Sequence, residues 1–313
     1  MRPILPRIST LSCIAIALVA SGLSAQTVQP ESYEETGFFT GQRLQESSGI
    51  AVSRSQWGIL WTHNDSGDRE FIYAIDIQGR NFGRIKVRGA DAKDWEDISL
   101  GRCPLSFEHE HCLYVADTGD NDGDRDRGTI YIFPEPDLAD RSVDSEARTE
   151  RASEIKVRYP GGPRDIEGLA VNPDGDILLV SKGTHGPIIL YEIPADSLEE
   201  EKVTAAVVDT LPIVPAPHFG RLVTAASLST DGSRLALRTY PEIYFFERDS
   251  DSAAWKLAAP PCWLGLNQPQ GEALDFLNDT LIVLTSESAL GRVGGIARVV
   301  CPRGFAPGNR NQD

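Results

Sequence analysis

The 313-residue chain is short of basic charge. It has 30 Lys and Arg against 46 Asp and Glu, a formal net charge of −16. Without a basic surplus there is nothing to neutralise a phosphate backbone, so nucleic-acid binding is excluded, as is a polybasic membrane surface. Long apolar helical repeats are also missing, and no segment after the N-terminus is apolar enough to insert in a membrane. The sequence contains no Gly-x-Ser-x-Gly nucleophile elbow, no phosphate-binding P-loop and no Gly-x-Gly-x-x-Gly fingerprint. Those absences remove the commonest serine hydrolases, NTPases and nicotinamide enzymes. No CxxC or paired-His spacing supports zinc.

What is present begins with an export signature. Arg2 and Arg7 precede an apolar stretch from about Leu11 to Leu23, and Leu23-Ser24-Ala25 places small residues before a cleavage point. The run is shorter than the roughly 20 residues a bilayer span needs. Residues 1–25 are therefore read as a signal peptide, an uncleaved anchor being the alternative, and residues 26–313 as one domain that is secreted or periplasmic. Four of the five cysteines follow the signal: Cys103, Cys112, Cys262 and Cys301. An even number in an oxidising compartment implies two disulfides, with three pairings open. The expected pairing is Cys103–Cys112, closing a local excursion, and Cys262–Cys301, tying segments near the C-terminus.

Short β-branched and aromatic runs recur between turn residues, which is the strand signature. They also recur in a fixed order. One unit runs Asp165-Ile-Glu-Gly-Leu-Ala-Val, turns at Asp174-Gly175, continues from Ile177 and again from Ile188. Another starts at Val223, turns at Asp231-Gly232, and continues from Arg234 and Ile243. Equivalent positions are Ser48, Glu96, Glu167, Thr224 and Glu272, at intervals of 48, 71, 57 and 48 residues. Four strands per unit at this period predict an all-β, five-bladed β-propeller, with six blades as the alternative if the long interval hides a unit. A two-sheet sandwich does not explain five repeats in register. The last unit lacks a fourth strand, and the strand-like segment Gly37–Leu44 precedes the first. An N-terminal strand completing the last blade removes the open edge. The polar stretch Asp137–Glu150 is expected to be a surface loop or short helix.

These residues resemble a family of exported bacterial β-propellers of largely uncharacterised role, distantly similar to phytase-like and gluconolactonase-like propellers. The resemblance rests on Ser47-Ser48-Gly49, Trp61-Thr-His-Asn-Asp-Ser-Gly67, Asp94-Trp95-Glu96-Asp97, Asp117-Thr-Gly-Asp-Asn121, Glu167-Gly168, Arg238-Thr239-Tyr240 and Gln270-Gly271-Glu272-Ala273. It implies the fold and export, and no particular activity.

In a propeller, the loop entering each inner strand and the end of the second strand share one face. Ser48, Glu96, Glu167, Thr224 and Glu272, with neighbours Asp94, Asp97, Asp165 and Gln270, form the first set. His63, Lys182, Thr239 and Glu287, each 15 positions later, form the second, with Asp117 to Asn121 standing in where the disulfide excursion lengthens the interval. Both sets should ring one mouth of the channel. Carboxylates crowded there repel unless one is protonated or a cation binds. Oxygen ligands favour calcium or magnesium, and calcium suits a flexible shell. Glu96, Glu167, Glu272, Asp65, Asp120 and Asn121 are the candidate metal ligands. Asp120-Asn121-Asp122-Gly123-Asp124 is not an EF-hand loop, since Thr118 and Thr129 fall at its end positions. Lys182, Arg238, Tyr240 and Asn64 are candidates to hold a small polar or anionic ligand, and His63 and Glu167 to act as acid or base. His109-Glu110-His111 resembles half a metal site without a third ligand. Two functions follow. The protein is a metal-dependent hydrolase of an ester, lactone or phosphoester, or it is a non-catalytic extracytoplasmic binding propeller. A monomer is expected in either case.

Overall fold

A computed structural model describes residues 27–40, 43–65, 68–138, 147–250 and 254–302. The proposed signal peptide lies outside the described residues. No helix among them is long and apolar enough to cross a membrane.

Five antiparallel sheets are arranged around one axis. Their innermost strands are Ser47–Val52, Trp95–Arg102, Ile166–Val171, Val223–Leu228 and Gln270–Phe276, which define blades 1 to 5. Each inner strand touches the next, and the fifth returns to the first, so the ring closes. Hydrophobic clusters between neighbouring blades form the core, with Trp61 and Trp95 between blades 1 and 2 and Leu235 and Phe246 between blades 3 and 4. Strand residues buried on both faces explain the nearly continuous apolar runs of the inner and second strands.

Closure works as the missing fourth strand required, but with a shifted segment. The N-terminal strand of blade 5 is Ser32–Phe38, not Gly37–Leu44, and pairs antiparallel with Gly295–Val300. Most of the Asp137–Glu150 stretch, residues 139–146, lies outside the described residues. Its described C-terminal end enters a strand, Arg148–Arg151, that pairs parallel with Asn81–Arg88 on the outer edge of blade 1. Lys202–Thr204 does the same for blade 2 along Ser153–Arg158. These clips cover strand edges that would otherwise be open.

Both disulfides form as paired above. Cys103–Cys112 closes the hairpin between the first two strands of blade 2. Cys262 sits in a short strand on Glu242–Glu247 of blade 4, and Cys301 follows the third strand of blade 5. Cys262–Cys301 therefore ties blade 4 to the closing blade 5.

Two buried carboxylates lace the inner strands together. Asp97 of blade 2 accepts N–H groups from Ile98 at 2.9 Å, from Leu169 of blade 3 at 2.9 Å and from Ala226 of blade 4 at 3.2 Å. Asp275 of blade 5 accepts from Phe276 at 2.7 Å, from Val52 of blade 1 at 2.7 Å and from the Ser227 hydroxyl of blade 4 at 2.5 Å. Between them the two residues reach all five blades. Burial raises the pKa of both, and the amide hydrogen bonds oppose that rise.

Replacing Asp97 by Asn turns an N–H towards at least one buried donor and should lower unfolding stability by about 2–4 kcal/mol in urea titrations. Replacing Cys262 and Cys301 together by Ser opens a cross-link spanning 39 residues. Loop-closure entropy puts its loss at about 4 kcal/mol, read in the same titration.

Candidate functional site

Every inner strand carries a β-bulge at the same place. Pairing skips Ser48, Glu96, Glu167, Thr224 and Glu272, the five positions equated by the sequence repeat. A bulged residue has no partner opposite it and its side chain is re-aimed. Three of the five are glutamates, and the fold gathers them at one end of the channel.

Glu96 belongs to two groups of carboxylates whose oxygens lie within 4.8 Å of one another: Asp65, Asp94 and Glu96, and Glu96, Asp165 and Glu167. They differ in counter-charge. Lys182 donates to Glu167 at 2.5 Å and lies 3.9 Å from Asp165. It also reaches Asn121 Oδ1 at 3.3 Å. Burial opposes the ammonium charge, but Glu167, Asp165 and Glu96 outweigh it and hold the pKa of Lys182 above its ordinary value. The second group thus carries its own cation. Arg125 lowers the pKa of Asp94 and Lys182 that of Glu96 from farther away, but neither acid forms an ion pair with Lys or Arg among the described residues. Glu96 is only 5 % exposed, and its carboxylate accepts no hydrogen bond among them. Burial first, then Glu167 and Asp65, raise its pKa well above the usual carboxylate range. Asp94 is pushed up to about 6 by burial and by Asp65. Gly119 faces these acids so closely that a Cβ there would lie 2.0 Å from Glu96 Oε1 and 2.4 Å from Asp94 Oδ2.

On the far side of the mouth, Gln270 Nε2 donates to Glu272 at 2.9 Å and to Glu287 at 2.6 Å. Burial raises both acids to about 8, with Glu287 acting on Glu272 and Asp65 on Glu287. Tyr240 is half-buried, and its phenol is raised by burial and by Glu272, with Glu167 and Glu287 adding to the effect. Asp120 is turned into its own loop, where Oδ1 caps the N–H groups of Asp124 and Arg125. Its N–H binds Asp165, which joins that loop to the second acidic group.

Three residues marked out by the sequence sit inside the walls. His63 is fully buried between blades 1 and 2, with Nδ1 2.9 Å from the Asn64 carbonyl and its ring edge-on to Trp95. Burial lowers its pKa to about 4, so it is neutral at pH 7. Arg238 is sealed between blades 4 and 5, donating to the carbonyls of Ala273 at 2.7 Å and Thr285 at 2.8 Å. Gly271 leaves room for it, since a Cβ there would lie 1.9 Å from its Nη2. Asn64 organises the loop before blade 1, accepting from the N–H groups of Gln45 and Glu46 and donating to Asp68. Asp97 faces the channel interior instead of the mouth, where it meets Leu169 and Ala226. Asp94 and Glu287 belong with the acids at the mouth. The 15-residue offset and the Asp-Trp-Glu-Asp motif pointed to them, although neither stood among the metal ligands. Asp275 carried no sequence mark.

The fold is shared with a solved structure, the PQQ-bound form of an aldose sugar dehydrogenase from Streptomyces coelicolor. The two are 12 % identical with a TM-score of 0.52, over 86 % of this chain and 98 % of the other. The chain is a β-propeller. No protein-family model matches it, and no curated protein matches it in sequence. At this identity the likeness carries architecture and leaves the chemistry of the propeller's mouth to its own residues.

The buried His63 gives a pH test. Its folded pKa lies below the 6.5 of an exposed imidazole, so the unfolded chain takes up a proton first as pH falls. Its effect is absent above pH 6.5 and grows down to about pH 4, reaching roughly 3 kcal/mol of lost stability. The variant His63→Gln should flatten that part of the stability–pH curve in thermal melts.

Proposed function

We propose that the acidic mouth binds a divalent cation through Asp65, Asp94 and Glu96, and that the bound ion holds a small polar or anionic ligand. One observation carries this reading: the buried Glu96 carboxylate, within 4.8 Å of the Asp65 and Asp94 oxygens, has no donor among the described residues. Oxygen-only ligands fit a hard cation, and their irregular spacing fits calcium better than the strict octahedron of magnesium. Lys182 already neutralises Glu167 and Asp165, which keeps the ion on the Asp65 side. The two disulfides support export to an oxidising compartment.

Cation-dependent binding is the reading best supported, because His63 is walled in and Glu167 is held by Lys182. Metal-assisted hydrolysis of an ester, lactone or phosphoester is the second. It is favoured by Glu272 and Glu287, two acids bridged by Gln270 and raised by burial to about 8, which keeps protonated carboxyl groups at the mouth at neutral pH. The bound ion would polarise the substrate oxygen and lower the pKa of an attacking water, and a protonated member of this pair would donate to the leaving-group oxygen.

Calorimetric titration of calcium into the metal-stripped protein should give saturable binding. Calcium at about 100 times the Kd should stabilise the fold by about 2.7 kcal/mol. Glu96→Gln and Gly119→Ala should each weaken binding at least about tenfold, the first by removing a charged ligand and the second by crowding it. Absence of a calcium effect on either heat or melting temperature sinks the cation reading. Turnover of any ester, lactone or phosphoester that Glu287→Gln abolishes would decide for the enzyme over the binder.

A further inference from the structure

We infer that the opposite end of the channel is a site for a small anion with phosphate or carboxylate oxygens, held by Arg54, Arg102 and His111. A cavity of about 580 Å³ opens there, with these three side chains, His109, Asn172 and Asp275 on its lining. That volume suits a small ligand rather than a macromolecule.

The donors are free to bind. Arg102 is exposed, and its guanidinium has no partner among the described residues. Arg54 spends one N–H on the Phe276 carbonyl at 2.9 Å, and its charge also acts on the buried Asp275 carboxylate, leaving its other N–H groups for a ligand. His111 is half-buried, and its imidazole is likewise without a partner among the described residues. Guanidinium groups present paired N–H donors that match carboxylate and phosphate oxygens.

The wall carrying Arg102 and His111 is also fixed in place. Cys103–Cys112 pins the hairpin at its base, and His109 Nε2 meets Glu150 at 3.0 Å on the clip strand of blade 1. This gives the His109-Glu110-His111 segment a role that metal binding does not. Of the two acids on the lining, Glu110 is exposed, and Asp275 is occupied by its three donors inside the ring. Positive groups thus gather at one mouth of a chain whose net charge is −16.

The test is calorimetric titration of the full protein at low salt with inorganic phosphate and, separately, with succinate. Saturable binding of at least one is expected. Arg102→Gln should weaken it at least about tenfold, and Glu96→Gln at the other mouth should leave it unchanged. The Arg102 guanidinium has no partner among the described residues and the backbone is unchanged by the substitution, so the variant should melt with the wild type, and Arg54→Gln serves as the second variant. Phosphate binding without succinate binding identifies a phosphoryl ligand, and the reverse identifies a carboxylate. No saturable heat from either probe, or an affinity indifferent to both arginine variants, overturns the site.

Discussion

Five inner strands point their unpaired edges at one axis, and the backbone amides on those edges must find acceptors where no further strand fits. Asp97 and Asp275 meet that demand. Each carboxylate accepts from its own strand and from two other blades, so the ring is closed by hydrogen bonds across the channel as well as by the N-terminal strand at its rim. Burying a carboxylate is unfavourable, and three donors apiece are what make it tolerable.

The ends of the channel differ because the strands are asymmetric. At the entrance to each inner strand the chain bulges, which turns one side chain per blade out of the pleat. In three blades that side chain is Glu. Burial and their mutual repulsion push their pKa values up, and Lys182, paired with Glu167, opposes that rise at all three. What is left on the Asp65 side is a buried carboxylate, Glu96, that accepts no hydrogen bond among the described residues. At the other end the hairpins bring arginine and histidine instead, on a wall stiffened by a disulfide.

Glycines in the motifs follow from this crowding rather than from turns. Gly49 sits where a Cβ would lie 2.6 Å from His63 Nε2, and Gly271 and Gly119 make room for Arg238 and for two carboxylates. Thus Ser48-Gly49 and Gly271-Glu272 record the approach of side chains from the same and neighbouring blades. His63 and Arg238 stood out in the sequence as reactive groups. Their chemistry is consumed by packing, because the position after which a second strand ends is sealed between blades in one unit and open to the mouth in another.

The repeat was readable because it is local: strand, Asp-Gly turn and strand recur at nearly constant spacing, and the same five positions prove to be the bulges. Cysteine number and spacing likewise led to the two bridges. Side-chain direction was not readable. Lys182 and His63 occupy the same place in the repeat, yet one reaches the acids and the other is walled in by Trp95. Asp275 carries no motif, and its three donors come from residues as far away as Val52. Linear spacing fixes which backbone segments pair, since pairing follows the alternation of the strands. Which polar groups meet across the axis depends on the closing of the ring, and only the folded chain decides that.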